Sequence, residues 1–398
     1  MNVLVLNVGS SSLKFDVYDT ARNTALLTGN IQHITTTADM VLTCGDARIE
    51  EQLPIASHKE AIPVIDRLIE QYGLTYEAIG FRIVHGGDFK HHTLVTDEVL
   101  EQVKKFSPLA PLHNPIAIAE VEAIRATTDK PIGLIFDTVF YHTLPAKSYT
   151  YTVPEEWRAL GVRKYGFHGL SHHYLYHRVN ELAAEVGTSA DRVISCHLGA
   201  GSSITATSPA GAQDTSMGFS PLAGIMMGTR TGDIDSAVVE FIANNTDLTL
   251  AEITRALNSA SGFLGMTGTA NVAEVCERAV AGDEQAQLAL DIFVKRIADY
   301  VAAYYATLGG CDALVFAGGI GENSAVVRER VIEALASLGF TLDMAANARN
   351  EHDSDLSMGA GKSDGTRTRD SHTNPAIYVI QTDEASVIAS ETATLVSA

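Results

Sequence analysis

Several residues that could do chemistry stand at the ends of apolar runs. Gly-rich segments follow three such runs, at 9–12, 199–203 and 318–321. Gly and Ser are ordinary turn residues. Three such turns, each behind an apolar strand, favour a nucleotide site, because backbone N–H groups approach phosphate closely where no Cβ intervenes. The first turn, in NVGSSSLKF, adds the hydroxyls of Ser10 and Ser12 and the ammonium of Lys14. The G-x-x-x-x-G-K-[ST] spacing is absent, so it is not a Walker A loop.

Two arginines sit beside glycines, Arg82 in FRIVHGG and Arg230 in MMGTRTGDID. A guanidinium is a planar fork suited to carboxylate or phosphate. Arg82 stands in an otherwise apolar strand, which weakens the plainer reading as a surface ion pair. Asp137 follows the buried run IGLIF, Glu384 follows YVIQTD, and Asn7 closes the first strand. Oxygen donors at strand ends suit magnesium, which takes few protein ligands and keeps most of its waters. His113 in LAPLHNP and His168 in KYGFHGLSH lie in apolar or glycine-rich settings, where a lone histidine is more often a hydrogen-bonded core residue. Taken together, these parts describe phosphoryl transfer.

The chain has 398 residues, 46% hydrophobic and 19% charged, with a formal net charge of −20. That composition reads as a folded globular protein of two or three domains. The acidity argues against nucleic acid and against anionic membrane as partners. Four scattered cysteines give neither a disulfide framework nor a zinc spacing. A strand beginning at residue 2 and the lack of a long apolar run lead us to expect a cytoplasmic protein.

The elements that must position these residues alternate. Strands are predicted at 3–6, 15–18, 26–29, 79–84, 131–136, 192–197, 313–316 and 376–380. Helices are predicted at 59–72, 97–106 with Asp97 as N-cap, 116–126 behind Pro115, 172–186, 235–244, 286–307 and 326–338. VLNVGSSSLKF and SCHLGAGSSIT share one layout of strand, Gly/Ser turn and strand, which suggests a duplicated domain. The expected fold is α/β with helices covering sheets, in two halves with a ligand cleft between them. The domain limits are placed at 1–150, completed by 385–398, and at 151–384, with a surface-loop insertion over 357–375.

The ordered set LNVGSSSLKF, RIVHGG, LAPLHNP, FDTVF, KYGFHGLSH, HLGAGSS, DTSMGFSPLAGIMMGTRTGDID and GGIGEN resembles the acetate kinases, in the acetate and sugar kinase, heat-shock ATPase and actin superfamily. The resemblance covers nearly the whole chain. It implies two duplicated ribonuclease-H-like domains and a homodimer. It implies reversible, magnesium-dependent phosphoryl transfer between ATP and acetate, giving acetyl phosphate and ADP; manganese is an expected substitute. By the same resemblance Asn7 and Glu384 hold the metal, Asp137 is the catalytic acid/base or metal-positioning carboxylate, and Arg82 and Arg230 grip carboxylate and phosphoryl group. His168 donates to the phosphoryl group in flight, with His113 nearby. Lys14, Ser10, Ser12, His197, Leu198, Gly199, Ala200 and Gly201 line the phosphate path. Gly318, Gly319, Ile320, Gly321, Glu322 and Asn323 form the adenosine side. Val84, Leu112, Phe167 and Pro221 enclose the methyl group.

One segment departs from the family pattern. SGFLGMTGTANVAEV places Val272 and Glu274 where the family usually carries an Asp and an Arg on the nucleotide side. Pyrophosphate in place of the nucleotide is therefore an alternative within the class; propionate or another short acid as acceptor is a second, because Val84 is a modest-sized wall and one methylene is worth only about 1–3 kcal/mol in such a pocket. A non-catalytic nucleotide-binding regulator is the alternative outside that class.

Overall fold

The computed structural model describes residues 1–9, 12–34, 37–110, 113–357 and 375–398. Two compact units emerge. One comprises Met1–Val139 with Asp383–Ala398, the other Phe140–Thr382. Sequence patterns drew these divisions at 150 and 384.

The first unit holds eight strands: β1 (Asn2–Val8), β2 (Ser12–Asp19), β3 (Thr24–Gln32), β4 (Ala38–Cys44), β5 (Ala47–Leu53), β6 (Ala78–Ile83), β7 (Thr93–Leu94) and β8 (Ile132–Phe136). Their order is β5-β4-β3-β2-β1-β6-β8-β7. The second unit holds β9 (Val193–Leu198), β10 (Ser202–Ser208), β11 (Gly211–Thr215), β12 (Ala313–Ala317), β13 (Ser354–Asp355) and β14 (Ala376–Val379), in the order β11-β10-β9-β12-β14-β13. The run β3-β2-β1-β6-β8 matches β11-β10-β9-β12-β14. In each unit an antiparallel meander is followed by two parallel strands. The fold is a duplicated ribonuclease-H-like, actin-like ATPase architecture.

Strand alternation decides which side chains reach a site. On β1 and β2, Leu4, Leu6, Leu13, Phe15 and Val17 point into one hydrophobic core. Asn7 and Lys14, directly paired, and Asp16 take the opposite face. The helix Glu384–Ser397 packs against β1, β6 and β8. It docks closely because Gly80 and Gly133 are neighbours in β6 and β8. A Cβ on Gly80 would lie 2.5 Å from Thr392 Oγ1 and 2.7 Å from Ile388 Cγ2, and one on Gly133 3.1 Å from Thr392 Oγ1.

Several expectations change. The helix Asp97–Lys105 is capped by Thr96, whose hydroxyl accepts from the Val99 N–H at 3.2 Å; Asp97 lies inside, in the acidic first turn. The helix expected from 172 begins at Gly169, because His168 takes the left-handed conformation (φ 56°) and turns the chain into it. Gly318–Asn323 is a short helix, not a turn, and the Gly318 N–H donates to Glu322 Oε1 at 2.9 Å. The strand β5 and the C-terminal helix were not foreseen. β5 is almost wholly exposed and rich in charge, which suits an edge strand and erases its apolar alternation. The expected surface loop at 357–375 lies, apart from its two ends, outside the described residues.

Candidate active site

In the first unit, β6 and β8 run parallel and place Arg82 beside the end of β8, where Asp137 follows. Arg82 Nε donates to Asp137 Oδ1 at 2.8 Å, and Nη2 to Oδ2 at 2.7 Å. Nη1 lies 3.1 Å from Glu384 Oε2 and donates to Asn7 Oδ1 at 3.4 Å. Asp137 is buried, Arg82 and Glu384 nearly so. Burial opposes the Arg82 charge, but Asp137 and then Glu384 outweigh it and hold the guanidinium protonated above its ordinary range. Three residues, from β1, the end of β8 and the C-terminal helix, thus meet around the guanidinium that β6 carries.

The loop after β1 starts with Gly9, whose N–H donates to the Ser12 carbonyl at 2.8 Å. A Cβ there would lie 2.6 Å from Ser12 Oγ, so any other residue would push that hydroxyl aside. Ser12 is half-buried and Lys14 exposed; Ser10 lies outside the described residues. His113 is half-buried at the N-cap of the helix Asn114–Arg125. Next to it, Asn114 clamps the backbone just beyond β6: its amide donates to the His85 carbonyl at 2.8 Å, and its Oδ1 accepts from the His85 N–H at 3.2 Å. Val84 is half-buried in the same stretch, and Leu112 lies outside the described residues.

In the second unit, β9 and β10 are apolar on one face and polar on the other. Ile194, Cys196, Leu198, Ile204 and Ala206 enter the core. Ser195, His197, Ser203 and Thr205 face the other way, paired Ser203 with His197 and Thr205 with Ser195. Leu198 is fully buried, so only its backbone belongs to the turn, whereas Ala200 is exposed at the tip. The Gly199 N–H bonds the Gly201 carbonyl at 3.1 Å, the counterpart of the Gly9 closure.

The start of the helix Gly169–Glu185 lies over this polar face. His168 Nδ1 is 2.9 Å from Ser203 Oγ, and Ser171 Oγ is 2.8 Å from His197 Nδ1. The His168 and His197 rings are 4.4 Å apart, centre to centre. A Cβ on Gly201 would lie 3.3 Å from both His168 Nε2 and Arg230 Nη1, so both side chains converge on the turn. Arg230 Nη1 donates to the Pro221 carbonyl at 3.2 Å, and among the described residues no carboxylate pairs with it. Burial alone lowers its proton affinity. Such a guanidinium favours an incoming anion. Phe167 is buried, and its carbonyl accepts from Tyr141 Oη at 2.6 Å.

The helix Gly318–Asn323 is braced from behind by Arg328, which sequence inspection missed. Arg328 is fully buried with no carboxylate partner among the described residues. Its donors meet the carbonyls of Gly321 and Glu322 at 2.8 Å each, Asn347 Oδ1 at 2.8 Å and Asn350 Oδ1 at 2.7 Å. Burial brings its pKa down to about 10. Gly319 has open space where a Cβ would stand, Ile320 packs partly on the core, and Asn323 Nδ2 bonds the Gly319 carbonyl at 2.9 Å. Val272 is buried in the same core, and Glu274 accepts from Thr269 Oγ1 at 2.8 Å and lies 3.7 Å from Arg278.

His172 was also missed, since the HH pair at 172–173 reads as a helix start and lacks the third ligand of a metal site. It is fully buried and touches two serines, Ser195 at 2.6 Å and Ser203 at 2.7 Å.

A duplicated ATPase fold with these paired constellations defines a phosphotransferase with a carboxyl group as acceptor. The chain belongs to the Acetokinase family, whose model matches residues 2–390. It is 40% identical to an acetate kinase of Carboxydothermus hydrogenoformans, over 100% of this chain and 99% of that protein. Among solved structures it is similar to a propionate kinase from Francisella tularensis (TM-score 0.89, 36% identity, 99% of each chain). It is also similar to the acetate kinase of Porphyromonas gingivalis (TM-score 0.86, 33% identity, 99% of each chain).

Proposed function

We propose that the protein is a reversible, magnesium-dependent acetate kinase that interconverts ATP plus acetate with ADP plus acetyl phosphate. The observation that carries this reading is the contrast between two arginines. Arg82 is pre-paired with Asp137 and Glu384, whereas Arg230 has no carboxylate partner among the described residues and stands at a glycine turn. An acetate carboxylate is weakly basic and needs no strong base. It needs its charge shielded as it approaches an anionic phosphoryl group, and guanidinium groups supply that shielding.

The donor set of the first unit fits a hard cation. Asn7, Asp137 and Glu384 offer only oxygen atoms, and two carboxylates with an amide suit an ion that keeps its waters and binds phosphate. Asn7 and Glu384 would hold magnesium, with Asp137 positioning it; a bound ion would supply charge neutralisation for the transferring phosphoryl group. Arg82 orients the carboxylate. Arg230 and His168 steady the transferring group, and the Gly199–Ala200–Gly201 turn offers backbone donors. The Gly318–Asn323 helix receives the nucleoside side.

A homodimer is part of the proposal. The helix Ala237–Asn245 buries none of its residues although it carries Val238, Val239, Phe241 and Ile242. Phe241 is 67% exposed and Leu250, in the next helix, 64%. Such an apolar face fits a partner subunit. A cytoplasmic location is also proposed, supported by four cysteines outside any disulfide and by the lack, among the described residues, of a helix long and apolar enough to cross a membrane.

The test is acyl phosphate trapped as hydroxamate, with magnesium and either acetate or propionate, using ATP, GTP and pyrophosphate in parallel. Turnover with ATP and a preference for acetate is the expected result. Turnover only with pyrophosphate or only with propionate would keep the chemistry and replace the named substrate. No acyl phosphate from folded protein would overturn the reading.

A further inference from the structure

Behind the Gly199–Gly201 turn lies a chain of four groups that ends on His168. Ser195 Oγ is 2.6 Å from His172 Nδ1, His172 Nε2 is 2.7 Å from Ser203 Oγ, and Ser203 Oγ is 2.9 Å from His168 Nδ1. A parallel chain ends on His197: Thr382 Oγ1 donates to Ser171 Oγ at 3.1 Å, and Ser171 Oγ is 2.8 Å from His197 Nδ1.

Each serine hydroxyl has one proton to give. Ser171 accepts from Thr382, which leaves its own proton available to His197 Nδ1. His197 then carries its ring proton on Nε2, and a Cβ on Gly199 would lie 3.9 Å from that nitrogen. Ser203 sits between two imidazoles, and its single proton can go to only one of them. Where it donates to His168 Nδ1, it must accept from His172 Nε2–H, and His172 Nδ1 must then accept from Ser195. His172 is fully buried, which keeps it neutral, with one ring proton only. The reverse order would leave a neutral His168 with a bare, electron-rich Nε2 facing a turn meant for anionic oxygens.

We propose that His172 is a positioning residue that, through Ser203, fixes His168 as an Nε2–H donor aimed at the Gly199–Gly201 turn. This rests on the phosphotransfer reading above. Two N–H donors, His168 and His197, then face the turn with their rings 4.4 Å apart. Their protons are set before substrate arrives, so no reorganisation is needed during transfer.

The full-length protein is tested by two readouts. The first is nitrogen-15 NMR of the histidine rings, which separates protonated from bare ring nitrogens without any turnover. Wild type is expected to show His168, His197 and His172 all bare at Nδ1 and protonated at Nε2. The second is steady-state kinetics of His172→Phe and His172→Gln. Phe removes the donor, so His168 should divide between tautomers. Its kcat should fall roughly 10–100-fold, the usual cost of losing an outer partner, with KM for nucleotide unchanged. Gln places an amide N–H near the lost Nε2–H and should restore the Nε2–H signature and most of kcat. A proton on His168 Nδ1 in wild type overturns the proposal whether or not the variants fold. So does a His172→Phe variant with unaltered His168 signals and kcat, or a His172→Gln variant that restores neither. Lack of acyl phosphate in wild type would overturn the phosphotransfer reading instead, and the ring-nitrogen measurement would still judge the relay.

Discussion

Arg82 holds Asp137 with two parallel hydrogen bonds, 2.8 Å from Nε and 2.7 Å from Nη2. Its third nitrogen turns to Glu384 and Asn7. The pair is therefore structural as well as chemical. Cutting one partner of a buried, bidentate pair leaves an uncompensated charge, at a cost of about 3–5 kcal/mol. We predict that Asp137→Asn and Arg82→Ala each lose that order of stability in urea denaturation, in addition to losing acyl phosphate formation. A variant with wild-type urea midpoint would show that the pair is not what holds this corner of the fold.

Arg230 should behave differently. It has no carboxylate to abandon among the described residues, and its burial already works against its charge. Arg230→Ala should lower turnover by about 10³-fold or more, as loss of a charge-stabilising arginine does in phosphoryl transfer. Its melting temperature should stay close to wild type. Rates within an order of magnitude of wild type in the hydroxamate assay would remove Arg230 from the proposed role.

The glycine pair under the C-terminal helix gives a prediction far from any substrate. A valine at Gly80 would drive methyl groups into Thr392 and Ile388, already 2.5 and 2.7 Å from a mere Cβ. Overpacking of this kind costs about 1–3 kcal/mol. The helix carries Glu384 at its first turn. Gly80→Val should therefore lower both thermal stability and magnesium-dependent activity. Loss of stability with intact magnesium dependence would separate helix docking from Glu384 placement.

Asp16 faces Thr28, Lys14 and Asp383, and burial is the leading cause that lifts its pKa from 3.8 to about 6. A carboxyl raised in the folded state weakens folding when ionised. The penalty is complete above about pH 6 and shrinks as pH falls toward 4, because the folded protein takes up its proton first. Asp16→Asn keeps the acceptor for the Thr28 hydroxyl and removes the charge. It should stabilise at pH 7.5 by up to about 3 kcal/mol, the equivalent of the pKa displacement. That advantage should vanish near pH 4 in paired thermal melts. Equal melts at both pH values would refute the assignment.

Much of this was legible in the residues themselves. Alternation in SLKFDV marked Leu13, Phe15 and Val17 as the core face of the second strand, and that same period of two put Lys14, the partner of Asn7, on the opposite face. The glycines at 9, 199 and 201 marked the two turn closures, where a Cβ would crowd Ser12 Oγ, the Gly201 carbonyl and the His168 and Arg230 side chains. Repetition of strand, turn and strand announced the duplicated fold before any coordinates. Arg82, Asp137, His168 and Arg230 were recognisable by residue type and apolar context.

What the linear pattern left open were pairings between distant residues. Glu384 meets Arg82 only because the last helix returns to a groove made by Gly80 and Gly133, a contact 302 positions away in sequence that no local periodicity encodes. Arg328 falls inside the predicted helix 326–338 and His172 at the start of the one at 172–186, and no local pattern singles out either residue. Each became a buried bracing group because the tertiary structure supplied polar partners that offset the cost of removing it from water. Hydrophobic periodicity is a local property and survives in a string of letters; which polar groups meet once water is excluded is decided only when the sheets and helices close over them.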